Sequence, residues 1–343
     1  MSTRTRTAVT ELDPTDAAAV EGALQVRRLV GAHDTPDLPP ICRHRFRAQL
    51  DHPWPGELVT RWIARDRDEV VGHLEIMFPT LDNLDNAFVE ISVPPLRRRR
   101  GIGRALYEHA VAHARDRGRR RVMAFTPMDL PGGVSRDPAG SAFAAAMGLT
   151  NALDDVRRRL DISAAGWPAL DALLAGAWPR ADGYSLVQWT HRLPDEYLGD
   201  LALLDSQFIE LTPMGDLAWE PQKVDAGRIR GNEATRELLG SLPFSTAARH
   251  DATGRVVAWT TLSQECCHPD HAWQAITLVH PAHRGHRLGL IIKIENLRYA
   301  VRHLPALRYI DTWNAAVNEH MIAINDQVGF RPVESWRNWQ GDI

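Results

Sequence analysis

Short apolar runs broken by turn residues alternate along this chain with longer stretches in which apolar residues return every third or fourth position. The runs predict strands at Leu58–Arg65, Val70–Phe78, Phe88–Val93 and Arg121–Thr126, with a closing strand at Asn151–Asp161. A matching set falls later, at Phe244–His250, Val256–Ser263, Trp273–Val279 and Tyr309–Trp313. Asp66-Arg-Asp68 and Asp251-Ala-Thr-Gly254 lie between neighbouring strands, as hairpin turns require. Ile102, Leu106, Ala110 and Ala114 mark the face of one helix, and Leu290, Ile294, Leu297 and Val301 that of another. Late helices are expected at Gly140–Met147 and Asn318–Gln327. A further helix around Ala164–Ala177, ended by Pro179 and Gly183, is expected to link two domains, with bounds of 1–162, 163–183 and 184–343. The fold class is α/β, with mixed sheets flanked by helices.

The two halves share more than element order. Pro95-Leu-Arg-Arg-Arg-Arg-Gly-Ile-Gly103 and Pro281-Ala-His-Arg-Gly-His-Arg-Leu-Gly289 stand 186 residues apart. Each follows an apolar strand and opens a helix, which points to duplication of a whole domain. A strand entering a glycine turn at a helix start gathers unpaired backbone N–H groups at the positive end of the helix dipole. That arrangement suits a diphosphate. Gly101 and Gly103 let the backbone come close, and Arg98, Arg99, Arg100 and Arg104 supply charge, with Ile102 inside the turn. The second turn offers Arg284, Gly285, His286, Arg287, Leu288 and Gly289. Arg119–Arg121 and Arg157–Arg159 lack such a setting and read as solvated surface.

Composition narrows the class. At 343 residues the chain exceeds one ordinary domain, and 44% hydrophobic with 24% charged residues describes a globular protein. A net charge of −3 argues against a general nucleic-acid binder. No apolar run of about 18 residues exists to cross a membrane. The alternating Thr and Arg of the first ten residues carry no export signal, so a cytoplasmic protein with reduced thiols is expected. Cys266-Cys267-His268 with His271 lacks metal-ligand spacing, and no metal is expected.

These motifs resemble the GNAT superfamily of acyl-CoA-dependent N-acetyltransferases. Its signature, Gln/Arg-x-x-Gly-x-Gly/Ala, is met by Arg98, Gly101 and Gly103, whereas Arg287 stands where the second turn should have its first glycine. Thr312-Trp-Asn-Ala-Ala-Val-Asn-Glu-His-Met321, followed by Asn325 and Gly329-Phe330, resembles tandem GNAT proteins of actinomycetes, as does Met214-Gly-Asp-Leu217. The resemblance implies two tandem GNAT domains, each a twisted mixed sheet splayed between its fourth and fifth strands. The pantetheine arm of acetyl-CoA, or of another acyl-CoA, would lie in the splay against Ile91, Ser92 and Val93, or against Thr277, Leu278 and Val279. Asn314, Asn318 and Asn325 would contact it in the second half.

Two family features are missing. The tyrosine that protonates the departing thiolate is replaced by Ala144 and Asn325, and the glutamate base by Ala87 and Trp273. Glu90, or His280, His283 and His320, are the candidate substitutes, and Glu90, Asn325 and His320 are taken as the catalytic set. Asp216 and Glu220 could attract a cationic amine to an acceptor site expected in the second half. The implied activity is acetyl transfer to an amine of a small molecule by direct attack on the thioester. The alternative is an acyl-CoA-binding protein without turnover. A monomer or homodimer, with neither nucleic acid nor membrane as partner, is expected.

Overall fold

The computed structural model describes residues 8–343. In chain order its elements are β1 (Ala8–Glu11), α1 (Ala17–Asp34), α2 (Arg43–Asp51), β2 (Glu57–Asp66), β3 (Glu69–Pro79), β4 (Asn86–Ser92), α3 (Ile102–Asp116), β5 (Arg121–Met128), α4 (Ala139–Ala146) and β6 (Thr150–Asp161). They continue with α5 (Trp167–Ala177), β7 (Tyr184–Thr190), α6 (Leu198–Ser206), α7 (Phe208–Leu211), α8 (Ala226–Leu238), β8 (Ser241–His250), β9 (Val256–Glu265), β10 (His271–Val279), α9 (Leu288–His303), β11 (Tyr309–Ala315), α10 (Glu319–Val328) and β12 (Arg331–Asp342). The mixed α/β class read from the sequence is the class observed.

The chain forms two compact units, and neither is a continuous segment. The first comprises residues to Asp154 with Gly215–Trp219 and Glu334–Ile343; the second comprises Asp155–Met214 and Glu220–Val333. In the first, β1 to β4 run antiparallel in order, β5 joins β4 in parallel, and β12 closes the far edge antiparallel to β5 from Ser335 to Asp342. In the second, β7 to β10 are antiparallel, β11 is parallel to β10, and β6 pairs antiparallel with β11 from Asp155 to Asp161.

The closing strands are therefore exchanged. The strand expected to complete the first domain completes the second, and the C-terminal strand completes the first. The reason lies in burial. Leu160 of β6 enters the core under α9. Arg157 and Arg159, on the opposite face, bracket the fully buried Asp311 of β11 at 3.1 and 2.7 Å. Arg158 pairs with Asp326 at 2.8 Å. This arginine run is structural, not solvated. Trp339 does the reciprocal service for the first unit, buried in its core with Nε1 donating to Thr126 Oγ1 at 2.9 Å. The helix expected as a linker belongs to the second unit, where Leu170, Leu174 and Ala177 are buried in the core.

The segment Gly215–Trp219 docks on the first unit through its backbone. Asp216 N–H donates to the Ala152 carbonyl at 2.9 Å, and a Cβ at Gly215 would stand 2.4 Å from that oxygen. Only glycine fits there.

The helices follow their apolar stripes. Ile102, Leu106, Ala110 and Ala114 of α3 are buried against Ala64, Leu74 and Ile76. Helix α9 is buried all round from Leu288 to Ile294, as a helix enclosed by sheet and neighbouring helices must be.

Asp311 sets a pH limit on the second unit. Burial raises its carboxyl pKa, but hydrogen bonds from Arg159 and His271 and the charges of Arg157 and Arg159 win, holding it at about 2 against 3.8 ordinarily. Its contribution is complete above the ordinary value and is lost as pH falls through about 2. Asp311→Asn, which strands Arg157 without an anion, is expected to cost roughly 3–5 kcal/mol at pH 7 and much less near pH 2, measured by denaturant unfolding.

Candidate functional site

In each unit the parallel pair is short. β4 and β5 pair only from Asn86 to Phe88 against Arg121 to Met123; β10 and β11 pair only from His271 to Trp273 against Tyr309 to Asp311. Beyond these three pairs the strands part, leaving Val89–Ser92 and Gln274–Val279 without a parallel partner. This is the splay expected between the fourth and fifth strands. Each opening leads to a turn and a helix.

The two turns share one backbone. Positive φ falls at Arg99 (63°) and Gly101 (88°) in the first, and at Gly285 (85°) and Arg287 (59°) in the second. Subtracting 186 places Gly285 on Arg99 and Arg287 on Gly101. The same two positions are left-handed in both, and glycine occupies a different one each time. Arg287 thus keeps the turn at a cost of about 1 kcal/mol. A Cβ at Gly101 would meet nothing within 4 Å, so the side chain added at Arg287 has space.

The remaining glycine of each turn serves packing. A Cβ at Gly103 would lie 3.3 Å from the Phe143 ring, and one at Gly289 would lie 3.4 Å from Ile324. These glycines seat α4 on α3 and α10 on α9.

The arginines of the first turn divide. Arg98 donates Nη2 to both Asp34 oxygens at 2.9 and 2.7 Å, Nη1 to Asp137 at 2.7 Å and Nε to the Val93 carbonyl at 3.1 Å. It ties the end of β4 to α1 and to the loop before α4. Arg99, Arg100 and Arg104 stay exposed around the turn. In the second turn Arg284, the counterpart of Arg98, is exposed, as is Arg287. His286 bonds the Arg180 carbonyl, and His280 Nδ1 accepts from Ala282 N–H. His283 bonds Tyr184 Oη at 2.8 Å; burial, then the neighbouring His250, His280 and His286, push its pKa below the usual value. His280 and His283 shape the turn.

A cleft of about 280 Å³ opens on the first sheet. Alternate residues of its strands line it: Glu57 and Arg61 of β2, Glu75 of β3, Phe88 and Glu90 of β4, and Met123 and Phe125 of β5. Trp54 and His52, after α2, form its wall. Trp219 packs against Phe88 at 4.8 Å between ring centres, the two rings tilted by 55°. Arg61 bonds Glu75 and Arg27 bonds Glu90, both at 2.7 Å. Arg27 was not evident in the sequence, because α1 gives it the look of a solvated helix position.

The second unit holds a polar chain beneath its opening. Lys293 Nζ donates to Asn325 Oδ1 at 2.5 Å, and Asn325 Nδ2 donates to Asn314 Oδ1 at 2.5 Å. Asn325 is fully buried and Lys293 nearly so. Asn318 caps α10 by accepting from Met321 N–H, and His320 is exposed in that helix's first turn. The structure gathers Asn314 and Asn325 but not His320 or Glu90. Lys293 escaped the sequence reading; a lysine inside the apolar run Leu290–Ile294 was the available signal. Asp216 and Glu220 are both exposed, and Asp216 belongs to the first unit, not to the second-half acceptor site expected for it.

Each unit thus has an opening with a left-handed turn at a helix start and a splayed parallel edge, the arrangement that the sequence resemblance implies for an acyl-CoA site. Comparison with known proteins agrees. The acetyltransferase (GNAT) family model matches residues 29–132. A tandem GNAT protein from the clavulanic acid biosynthesis pathway, solved without AcCoA, is 32% identical over 98% of both chains, with a TM-score of 0.83. A GCN5-related N-acetyltransferase from Sphaerobacter thermophilus shares the fold at 14% identity, over 100% of this chain and 96% of that one, with a TM-score of 0.64. No curated protein sequence matched. The chain belongs to the GNAT acetyltransferase family and is an acyl-CoA-dependent acyltransferase. Among the described residues no helix is long and apolar enough to cross a membrane.

Arg287→Gly is expected to raise stability by about 1 kcal/mol, and Gly101→Ala to lower it by about as much. Shifts in the denaturant midpoint check both; equal losses would show that the two turns do not share their backbone.

Proposed function

We propose that the protein acetylates an amine of a small cationic molecule, held in the cleft of the first unit. The carrying observation is that cleft: three carboxylates, Glu57, Glu75 and Glu90, against two guanidiniums, Arg61 in its lining and Arg27 paired with Glu90 and Glu75, which leaves an excess of negative charge beside the β4/β5 opening. Carboxylates attract an ammonium, and Trp54, Phe88 and Phe125 can cover its apolar part.

The residues present suit an acyl-CoA donor. The exposed Arg99, Arg100 and Arg104, with the N–H groups at the start of α3, would hold its diphosphate, and the unpaired edge of β4 its pantetheine arm. The donor supplies an activated thioester. Attack requires a neutral amine, so a base must accept its proton. Glu90 lines the cleft, with one oxygen held by Arg27. Glu90 would take that proton, directly or through water. As the C–N bond forms and the C–S bond breaks, the proton lost by the amine balances the one gained by the thiol. The second unit, with an equivalent turn and opening, binds a second acyl-CoA.

Glu90→Gln is expected to lower kcat/KM for the amine by about 100-fold while leaving acetyl-CoA affinity intact. Gly101→Asp should weaken acetyl-CoA binding to the first unit, by repulsion of the diphosphate. Assays of amine-dependent thiol release, paired with calorimetry, check both. Full activity in Glu90→Gln would remove the acceptor site from this cleft.

A further inference from the structure

Lys293 is an unusual use of a cation. The sequence contains two lysines, Lys223 and Lys293, among 40 basic residues, and arginine fills nearly every other cationic position. Lys293 is 3% exposed, in a turn of α9 otherwise made of Leu290, Ile291, Ile292 and Ile294. Buried lysines normally have a carboxylate partner. The polar contact of this one is an amide, Asn325, with the Phe330 ring 4.9 Å away. Burial alone brings its pKa down to about 7.

Charged groups on the surrounding elements are engaged elsewhere or lie at the periphery. Asp326 of α10 pairs with Arg158 of β6, while Arg298 of α9 pairs with Glu295 and with Asp171 of α5. Asp311 points to the other face of β11, with Arg157, Arg159 and His271. Glu319 and His320 are exposed at the start of α10.

Hydrogen-bond direction gives the arrangement a meaning. An ammonium can only donate. It therefore fixes the Asn325 carbonyl towards Lys293 and the Asn325 amino group towards Asn314 Oδ1. Asn314 is left with Nδ2 donors that no described residue accepts. Asn314 lies on β11, three residues past its last pair with β10. A neutral lysine can accept as well as donate, so the orientation of both amides is no longer imposed. Arginine could not switch in this way, because it stays charged.

We propose that Lys293, Asn325 and Asn314 form a proton-linked switch in the second unit, in which charged Lys293 turns the Asn314 amide into the donor that receives a carbonyl of an acyl-pantetheine arm. This rests on the reading that the second unit binds acyl-CoA. Lys293 is a positioning residue, and the arm is bound together with a proton.

The test is calorimetry of acetyl-CoA binding to the Gly101→Asp protein, in which the first turn is disabled, at pH 7.5 in two buffers of different ionisation heat. The difference between buffers reports proton uptake, expected at about three-quarters of a proton per ligand bound when Lys293 becomes fully charged. Lys293→Met should abolish it. Asn325→Asp, which gives Lys293 a resident counter-ion and keeps it charged beforehand, should abolish it too. Uptake that persists in both variants belongs to the ligand's phosphates and overturns the switch. Binding without uptake in the parent overturns it as well, while leaving the second acyl-CoA site standing. No binding to the Gly101→Asp protein, with fold verified by circular dichroism, removes the second site and the switch with it.

Discussion

Three residue pairs hold β4 to β5, and three hold β10 to β11. The proposed acyl-CoA openings depend on those parallel pairs ending where they do. A sheet that lets go of one strand loses ladder hydrogen bonds, and the freed edge is stable only if another group accepts it. The departing strand must be secured on its other side. β12 pairs with β5 through eight residues, and β6 with β11 through seven. The long antiparallel pairs stabilise what the short parallel ones give up.

That demand explains the strand exchange. A strand pairing with β11 must bring counter-charges for Asp311, which has no exposed surface, and β6 carries two arginines on the right face. A strand pairing with β5 must fill the core beside α3 and α4, and β12 carries Trp339. Each closing strand matches the unit in which it is found, whatever its place in the chain. A domain boundary is thus a property of packing, and a sequence cut at residue 162 or 184 divides both units.

The local rules of the chain were legible. Strands, hairpin turns and the two turn-helix starts follow from apolar spacing and glycine, because each depends on residues within a few positions of one another. The closing strand at Asn151–Asp161 was misassigned because nothing local distinguishes which of two similar sheets a strand joins; that choice is made by Asp311, 154 and 152 residues from its arginines. The same limit explains Arg98. Its motif position suggests phosphate, yet Asp34 and Asp137, distant in sequence, occupy its guanidinium. Its counterpart Arg284, which has no such partner among the described residues, is exposed instead. Glycine counting alone does not decide Arg287, for a different reason: a left-handed position favours glycine by about 1 kcal/mol, a preference that other interactions can exceed.

Two buried ionisable groups in the second unit show how differently the same cost is met. Asp311 is desolvated and remains an anion, because two guanidiniums and an imidazole surround it. Lys293 is desolvated as deeply but has only an amide to bond, so its two protonation states lie close in free energy near neutral pH. A fully compensated charge is rigid and serves the fold. A charge compensated only by a dipole is poised, since any ligand that strengthens that dipole shifts the balance. The placement of Asp311 at the closed seam of the sheet and of Lys293 beneath its open one follows that division.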